Sequence, residues 1–422
     1  MARSLSRIGL TARPAAAPMT RSLRGLDWLN FFVANFQTGF GPFISVYLTG
    51  AGWTQGAIGV ALSAGTVAGM ASQVPGGALV DAVRSKQAAA AGAVVAIMAS
   101  ALLIALWPAL LPITVAEILH SFASSILGPA IAALSLALVD CSAFGERLGR
   151  NARFLAIGNA FAAGLMGACG YYISDRAVFL LTAALGLPAL AALHGIHNRD
   201  IVVAKLSATA VSKTNAEGAA WSWRFLKDRR LFVFSACASL FQLANAAMLP
   251  IAAGMVTKRA GSEAQLVIAA CIVAPQIVTA VISPWAGRAA EEWGRRPVLL
   301  LGFGVLPIRG MLLAGITDPN VMIVIQLLDG LSAAVFGVLS PLIVADIARA
   351  SGHYTTCLGI VGLAIGAGAT LSTTLAGLVA DHLGGAAAFL SLAGVGLCAT
   401  LLVAALLPET QGARPGDKRG TP

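Results

Sequence analysis

Apolar residues run through this chain in twelve long blocks separated by short polar stretches. The blocks lie at 26–48, 57–80, 87–107, 110–139, 151–173, 177–195, 229–254, 264–286, 297–316, 320–346, 354–380 and 385–407. Crossing the hydrocarbon core of a bilayer takes about 20 such residues in a helix. No block shows the period-2 alternation of a barrel strand, and an open sheet edge cannot be satisfied in lipid. The pattern therefore predicts an all-α integral membrane protein with twelve transmembrane helices. Residues 196–228 break it, with charges, Ser, Thr and Asn between blocks six and seven. The predicted organisation is a tail at 1–25, a six-helix bundle at 26–195, a central loop at 196–228, a second bundle at 229–407 and a tail at 408–422.

Composition agrees. Of 422 residues, 58% are hydrophobic and 11% charged, against about 25% charged in soluble domains. The expected surroundings are a lipid bilayer. The net charge of +10 is no nucleic-acid signal, because its distribution explains it. Twenty-four of the 28 Lys and Arg residues lie in the two tails and the even-numbered loops. The opposite side holds Arg176, Lys258 and Arg259, and Arg309 lies within a block. The positive-inside rule then places both termini and the central loop in the cytoplasm, with the chain in an inner (plasma) membrane. The Arg-rich first 20 or so residues resemble a transit peptide, but a cytoplasmic tail, or a start at Met19 in place of Met1, is the preferred expectation. The six cysteines are scattered without metal or redox spacing, so they are read as packing residues. No metal and no cofactor is expected.

One short pattern occurs twice, 210 residues apart. The first copy holds Gly77, Asp81 and Lys86; the second holds Gly287, Glu291, Gly294, Arg295 and Arg296. Each follows a long apolar run that ends in a proline, Pro75 or Pro284. Nearly the same offset relates Glu117 to Gln326, His120 to Asp329 and Gly128 to Gly337. Such a repeat signals two related halves. On these residues the chain resembles the major facilitator superfamily over residues 26–407. That family's signature loop reads G-x-L-x-D-x-x-G-R-R. Gly77, Leu79, Asp81 and Lys86 match it, Arg84 and Ser85 depart from it, and Glu291 replaces the Asp of the second copy. The resemblance implies two pseudo-symmetric six-helix bundles rocking about a central cavity lined by spans one, four, seven and ten. It implies that Asp81 and Glu291 gate the cytoplasmic side by pairing with a helix end and a nearby arginine, Arg147 or Arg150 for Asp81 and Arg349 for Glu291.

Ionisable groups inside spans are costly, and each is a functional candidate. Glu117 and His120 share one face of span four. With Asp329 and Asp27 they form the set of proton-coupling candidates. Where the family often carries R-x-x-Q-G, this chain reads Glu117-Ile118-Leu119-His120-Ser121. Arg309 and Asp329 fall at similar depths in neighbouring spans and are the expected ion pair. Asn30, Asn35, Gln37, Phe36, Gln242, Asn245 and Gln326 are the cavity and substrate candidates. The polar ones serve equally well as glue between helices. Phe31, Phe32, Phe36, Phe40 and Phe241 are expected to supply an apolar wall. Gly164, Gly167 and Gly170 in span five, and Gly362, Gly366 and Ser372 in span eleven, are expected to permit close helix contact.

No phosphate-binding loop with Lys-Ser/Thr and no His-Glu-x-x-His occurs, so neither an ATP-driven pump nor an enzyme is expected. The expected function is proton-coupled export of a small organic molecule, a drug or a siderophore-like metabolite, by a monomer. The alternative is proton-coupled uptake of a nutrient. A membrane sensor would need a folded cytoplasmic domain larger than residues 196–228. A membrane-embedded transferase would need its His–acid pair on the cytoplasmic side, whereas Glu117 and His120 lie toward the outer one. The topology has a direct test. A cysteine at Lys213 should be labelled only from the cytoplasm and one at Asp318 only from outside; labelling at Lys213 in intact cells would overturn the orientation.

Overall fold

A computed structural model describes residues 17–197, 228–252 and 264–410, apart from residues 39, 41, 317 and 350. Most of the tails and of the central loop lie outside the described residues, as do Lys258 and Arg259. The first half comprises α1 (Ala17–Thr38), α2 (Pro42–Gly50), α3 (Gln55–Ala82), α4 (Lys86–Leu106), α5 (Leu110–Leu138), α6 (Phe144–Tyr172) and α7 (Asp175–His194). The second comprises α8 (Arg229–Asn245), α9 (Ala264–Trp293), α10 (Arg295–Gly315), α11 (Pro319–Ala348), α12 (Tyr354–Leu383) and α13 (Gly385–Leu406). These are two pseudo-symmetric six-helix bundles, with no strand among the described residues. Among the described residues, eleven helices are long and apolar enough to cross a membrane. The first apolar block is instead divided, with a turn at Phe40 between α1 and α2. Pro42 opens α2, where its fixed φ suits a helix start and its missing N–H costs nothing.

Local sequence sets five of the helix starts. Thr54, Ser85, Ser174, Asp228 and Asp318 each cap their own helix through a side-chain oxygen, as N-cap residues do. The helices also run further than the apolar blocks. Pro75 and Pro284 do not end their runs; both lie inside helices. Gly77 and Asp81 therefore stand in the last turns of α3, and Gly287 and Glu291 in those of α9. The repeated motif, expected as a short charged loop, is a helix end followed by a tight connection. The prolines are tolerated because neighbouring groups can satisfy a freed carbonyl within a bundle.

Each half has its own core. Leu26, Ile44, Val94, Leu127 and Phe179 are buried in the first, and Phe234, Phe241, Phe303 and Leu339 in the second. Phe241 stacks on Phe336 with ring centroids 4.2 Å apart. The outward faces keep Val67, Leu111, Phe161, Phe232, Val281 and Leu401 exposed, as a lipid-facing surface requires.

The halves meet along α3 against α12 and α6 against α9, toward the end of the bundle that carries the basic residues. Backbones touch there because glycines remove the side chains between them. A Cβ on Gly77 would stand 2.1 Å from the Thr355 carbonyl oxygen, and one on Gly359 would stand 2.2 Å from that of Gln73. On the other seam, a Cβ on Gly287 would stand 2.2 Å from the Gly145 oxygen, and one on Gly149 would stand 2.4 Å from that of Ser283. Gly362 lies against the Gln73 side chain. Gly164 and Gly167, expected at close contacts, have no atom within 4 Å of a built Cβ. The close contacts of α6 involve Gly145, Gly149 and Gly158 instead.

Candidate functional site

Neither α6 nor α12 has a capping side chain of its own; their N-cap residues are Ala143 and His353. Both helices are capped from the opposite half. Asp81 Oδ1 accepts from the Thr355 N–H at 3.2 Å. Asp81 Oδ2 accepts from the Thr356 N–H at 2.8 Å and its hydroxyl at 2.7 Å. The Thr355 hydroxyl donates to the Gly77 carbonyl at 2.7 Å. On the second seam, Glu291 Oε1 accepts from the Gly145 N–H at 2.9 Å. A carboxylate at a helix N-terminus meets both unpaired N–H groups and the positive end of the helix dipole.

The basic residues of the motif hold the helix ends in place. Lys86 donates to the carbonyls of Val80, Asp81 and Val83. Arg295 donates to the Ala290 carbonyl at 2.7 Å and pairs with Glu291 at 3.2 Å and Asp346 at 3.1 Å. The backbone N–H groups of Arg295 and Arg296 donate to Glu409. Gly294 takes φ +99°, a left-handed turn that glycine permits.

The arginine partners differ from those expected. Arg147 and Arg150 bind not Asp81 but Asp27, each at 2.6 Å, because α1 brings that carboxylate against the first turns of α6. Arg349 pairs with Asp346 at 3.2 Å, while Glu291 takes Arg295. Arg147 also donates to Asn151, whose amide donates to Ser135 at 2.7 Å.

A cavity of about 510 Å³ lies between the halves. Asn30, Val33 and Gln37 reach it from α1, and Ser124 and Ile131 from α5. Asn151, Leu155 and Asn159 line it from α6, Gln276 and Thr279 from α9, and Gly337 from α11. No charged side chain among the described residues lines it. Spans one, four and ten line it as expected, whereas α8, the seventh span, is replaced by α6 and α9. The reason is that α8 turns Phe241 into the core of its own half and Asn245 toward Arg309, at 2.6 Å.

Of the cavity candidates, Asn30 and Gln37 line it; Asn35, Phe36, Gln242, Asn245 and Gln326 do not. Asn35 is buried and donates to the Phe31 carbonyl at 2.8 Å. Phe36 belongs to the first core. The aromatic wall is absent too. Phe31 and Phe32 cluster with Trp28, and Phe40 stacks on His120 at 3.8 Å.

The proton candidates separate by their partners. Asp27 is held by two arginines. Asp329 is held by Arg309 at 2.6 Å, and Arg309 also donates to Gln326. His120 shares a hydrogen bond of 3.3 Å with Ser124. Glu117 is 6% exposed and has no hydrogen-bond or ionic partner among the described residues. It packs against Gly65 of α3, where a Cβ would stand 3.0 Å from Oε2. No group of three metal-ligating side chains occurs among the described residues.

The description "Major Facilitator Superfamily" fits residues 26–270 and 231–422 as a family model. Uncharacterized MFS-type transporters from two strains of Mycobacterium tuberculosis are 36% identical over 394 residues, covering 92% of this chain and 94% of theirs. The chain belongs to the major facilitator superfamily. The fold agrees with a solved structure of the proton:xylose symporter XylE bound to 6-bromo-6-deoxy-D-glucose. That match has TM-score 0.72 and 12% identity, covering 93% of this chain and 96% of that one. This major facilitator is thus a multi-pass membrane transporter, a secondary carrier that works by alternating access.

For a carrier that must keep its bundles rigid while they rock, the Arg309 cluster matters. It ties α8, α10 and α11 together inside the second half. Removing one partner of such a buried pair costs about 3–5 kcal/mol. Asp329→Ala should cost more folded yield than Arg309→Ala, because it strands an arginine that is 1% exposed, whereas the Asp329 side chain is 22% exposed. The Arg309→Met/Asp329→Leu double variant should recover part of the loss. If the double variant falls by the sum of the two single losses, the pair is not coupled.

Proposed function

We propose that this major facilitator is a proton-coupled exporter of a small organic molecule, set in an inner membrane with its basic end cytoplasmic. Glu117 carries the proton. One observation supports this most: of the four ionisable candidates, Glu117 is the acid with no compensating partner. An uncompensated carboxyl in a span is costly and is retained where it serves transport. Its position suits coupling. His120 follows one turn along the same face, and it bonds Ser124, which lines the cavity. Glu117 and Ser124 are about 10 Å apart along the helix axis. A proton at one end of this short series and a substrate at the other can exclude each other through His120.

Asp81 and Glu291 are the gate of this account. Each binds a helix of the opposite half, so separating the halves at the basic end breaks both caps. Asp27 and Asp329, held by arginines, take structural roles.

Uptake by proton symport is the second reading. The export expectation drew on an apolar, aromatic cavity; the cavity has amide groups where aromatic rings were expected, which suits a polar nutrient as well. One assay tests coupling and direction together, flux of screened compounds in proteoliposomes under an imposed pH gradient. Export by antiport accumulates substrate on the acidic side, and symport accumulates it on the alkaline side. Glu117→Gln should abolish gradient-driven flux while leaving substrate exchange without a gradient. Retention of wild-type gradient-driven flux in that variant would remove Glu117 from the mechanism.

A further inference from the structure

Three carboxamides face the central cavity with hydrogen-bonding capacity that the protein does not use. Gln37 of α1 and Gln276 of α9 line the cavity, and neither side chain has a partner among the described residues. Asn159 of α6 accepts only a long contact of 3.5 Å from Thr38, which leaves its NH₂ group free. The other polar lining groups differ. Asn30 donates to the Leu26 carbonyl at 2.8 Å. Asn151 uses both ends, on Arg147 and Ser135. Thr279 donates to the Gly330 carbonyl at 3.1 Å. The free amides are therefore a subset of the lining, contributed by both halves.

Each primary amide offers two donors and an acceptor. That set matches hydroxyl and amide groups, which also donate and accept. It does not match an ion, because no lining side chain carries a charge to offset one, and an unpaired ion in such a site is strongly disfavoured. Asp329, one helical turn before Ala333 of the lining, is already paired with Arg309. Val33, Ile131 and Leu155 add apolar wall. The volume falls in the range of small-molecule sites, about 300–1,000 Å³.

We infer that the substrate is an uncharged small molecule bearing several hydroxyl or amide groups, held between Gln37 and Asn159 of the first half and Gln276 of the second. This rests on the transport reading above and narrows its substrate class. A ligand bridging the two sets touches both bundles at once, so its binding favours a state in which they are close.

The test is equilibrium binding to purified protein in nanodiscs, without any gradient. Three neutral probes are used: chloramphenicol, salicin and uridine. Tetraphenylphosphonium and nalidixate serve as a cation and an anion. At least one neutral probe should bind, and at least tenfold more tightly than either ion. Gln276→Leu and, separately, Gln37→Leu should each weaken that probe at least tenfold, while the eluted protein stays monodisperse. Binding of either ion as tight as the best neutral probe overturns the inference. So does failure of all three neutral probes, or indifference of binding to both folded variants. Since no gradient enters, intact neutral binding with no flux would fault the transport reading and leave this one standing.

Discussion

Two carboxylates, each capping a helix that belongs to the other half, are the contacts on which the account turns. Helices α6 and α12 begin just after Ala143 and His353, neither of which caps its own helix with its side chain. Glu291 and Asp81 complete them from across the seams. A capping side chain is worth about 0.5–2 kcal/mol. In the gating role proposed above, the two together bias the basic end toward closure by about 1–4 kcal/mol, a factor of roughly five to a thousand. A bias of this size suits a carrier. A much larger one would hold the protein in a single state, and a much smaller one would leave the cavity open to both sides. The glycine contacts make the geometry possible. With any larger residue at Gly77 or Gly287 the backbones would stand too far apart for the carboxylates to reach.

Helix α6 joins the Glu291 cap to the cavity. Its first turn is capped by Glu291, and its second holds Asp27 through Arg147 and Arg150. Asn151, one turn beyond Arg147 and bonded to it, already lines the cavity, as does Asn159 further along. A ligand that shifts this helix acts on the cap without an intermediary. The second half carries no copy of this network. Its buried charges form two clusters, Arg295 with Asp346 at the basic end and, deeper, Arg309 with Asp329, which binds α8, α10 and α11 to one another. The pseudo-symmetry is therefore one of backbone and caps, while the charged networks differ between halves.

Much of this was legible in the sequence. Block length and apolarity located most of the helices to within a few residues, because spanning hydrocarbon leaves little choice of structure; α1 and α6 begin nine and seven residues before their blocks, and α9 ends seven after its own. The depth arithmetic brought Arg309 beside Asp329. The repeated Gly and acid marked the seams between the halves. What the sequence lacked was rotation about each helix axis. Asn35 and Gln37 are two residues apart, yet one is buried beside Phe31 and the other faces the cavity. Gln242 and Asn245 looked equivalent to the cavity amides, and packing turned Asn245 to Arg309. Gln276, Asn151 and Asn159 went unremarked because their helices were not expected to line the site. Their signal was present as uncharged amides inside apolar blocks. Arg147 and Arg150 were drawn toward Asp81 by the family pattern, and only the tertiary fold shows Asp27 within their reach.

Distance measurement between the halves at the basic end tests the central claim most directly. Spin labels at Arg84 and Arg288, exposed positions of opposite halves, report the separation by double electron–electron resonance. The account predicts a dominant short distance with both caps intact. In the Asp81→Ala/Glu291→Ala variant, which removes both acceptors, it predicts that the population at longer distance rises about fivefold or more. A distance distribution that does not change in that variant, with the protein folded, would contradict the claim that these two caps hold the basic end closed.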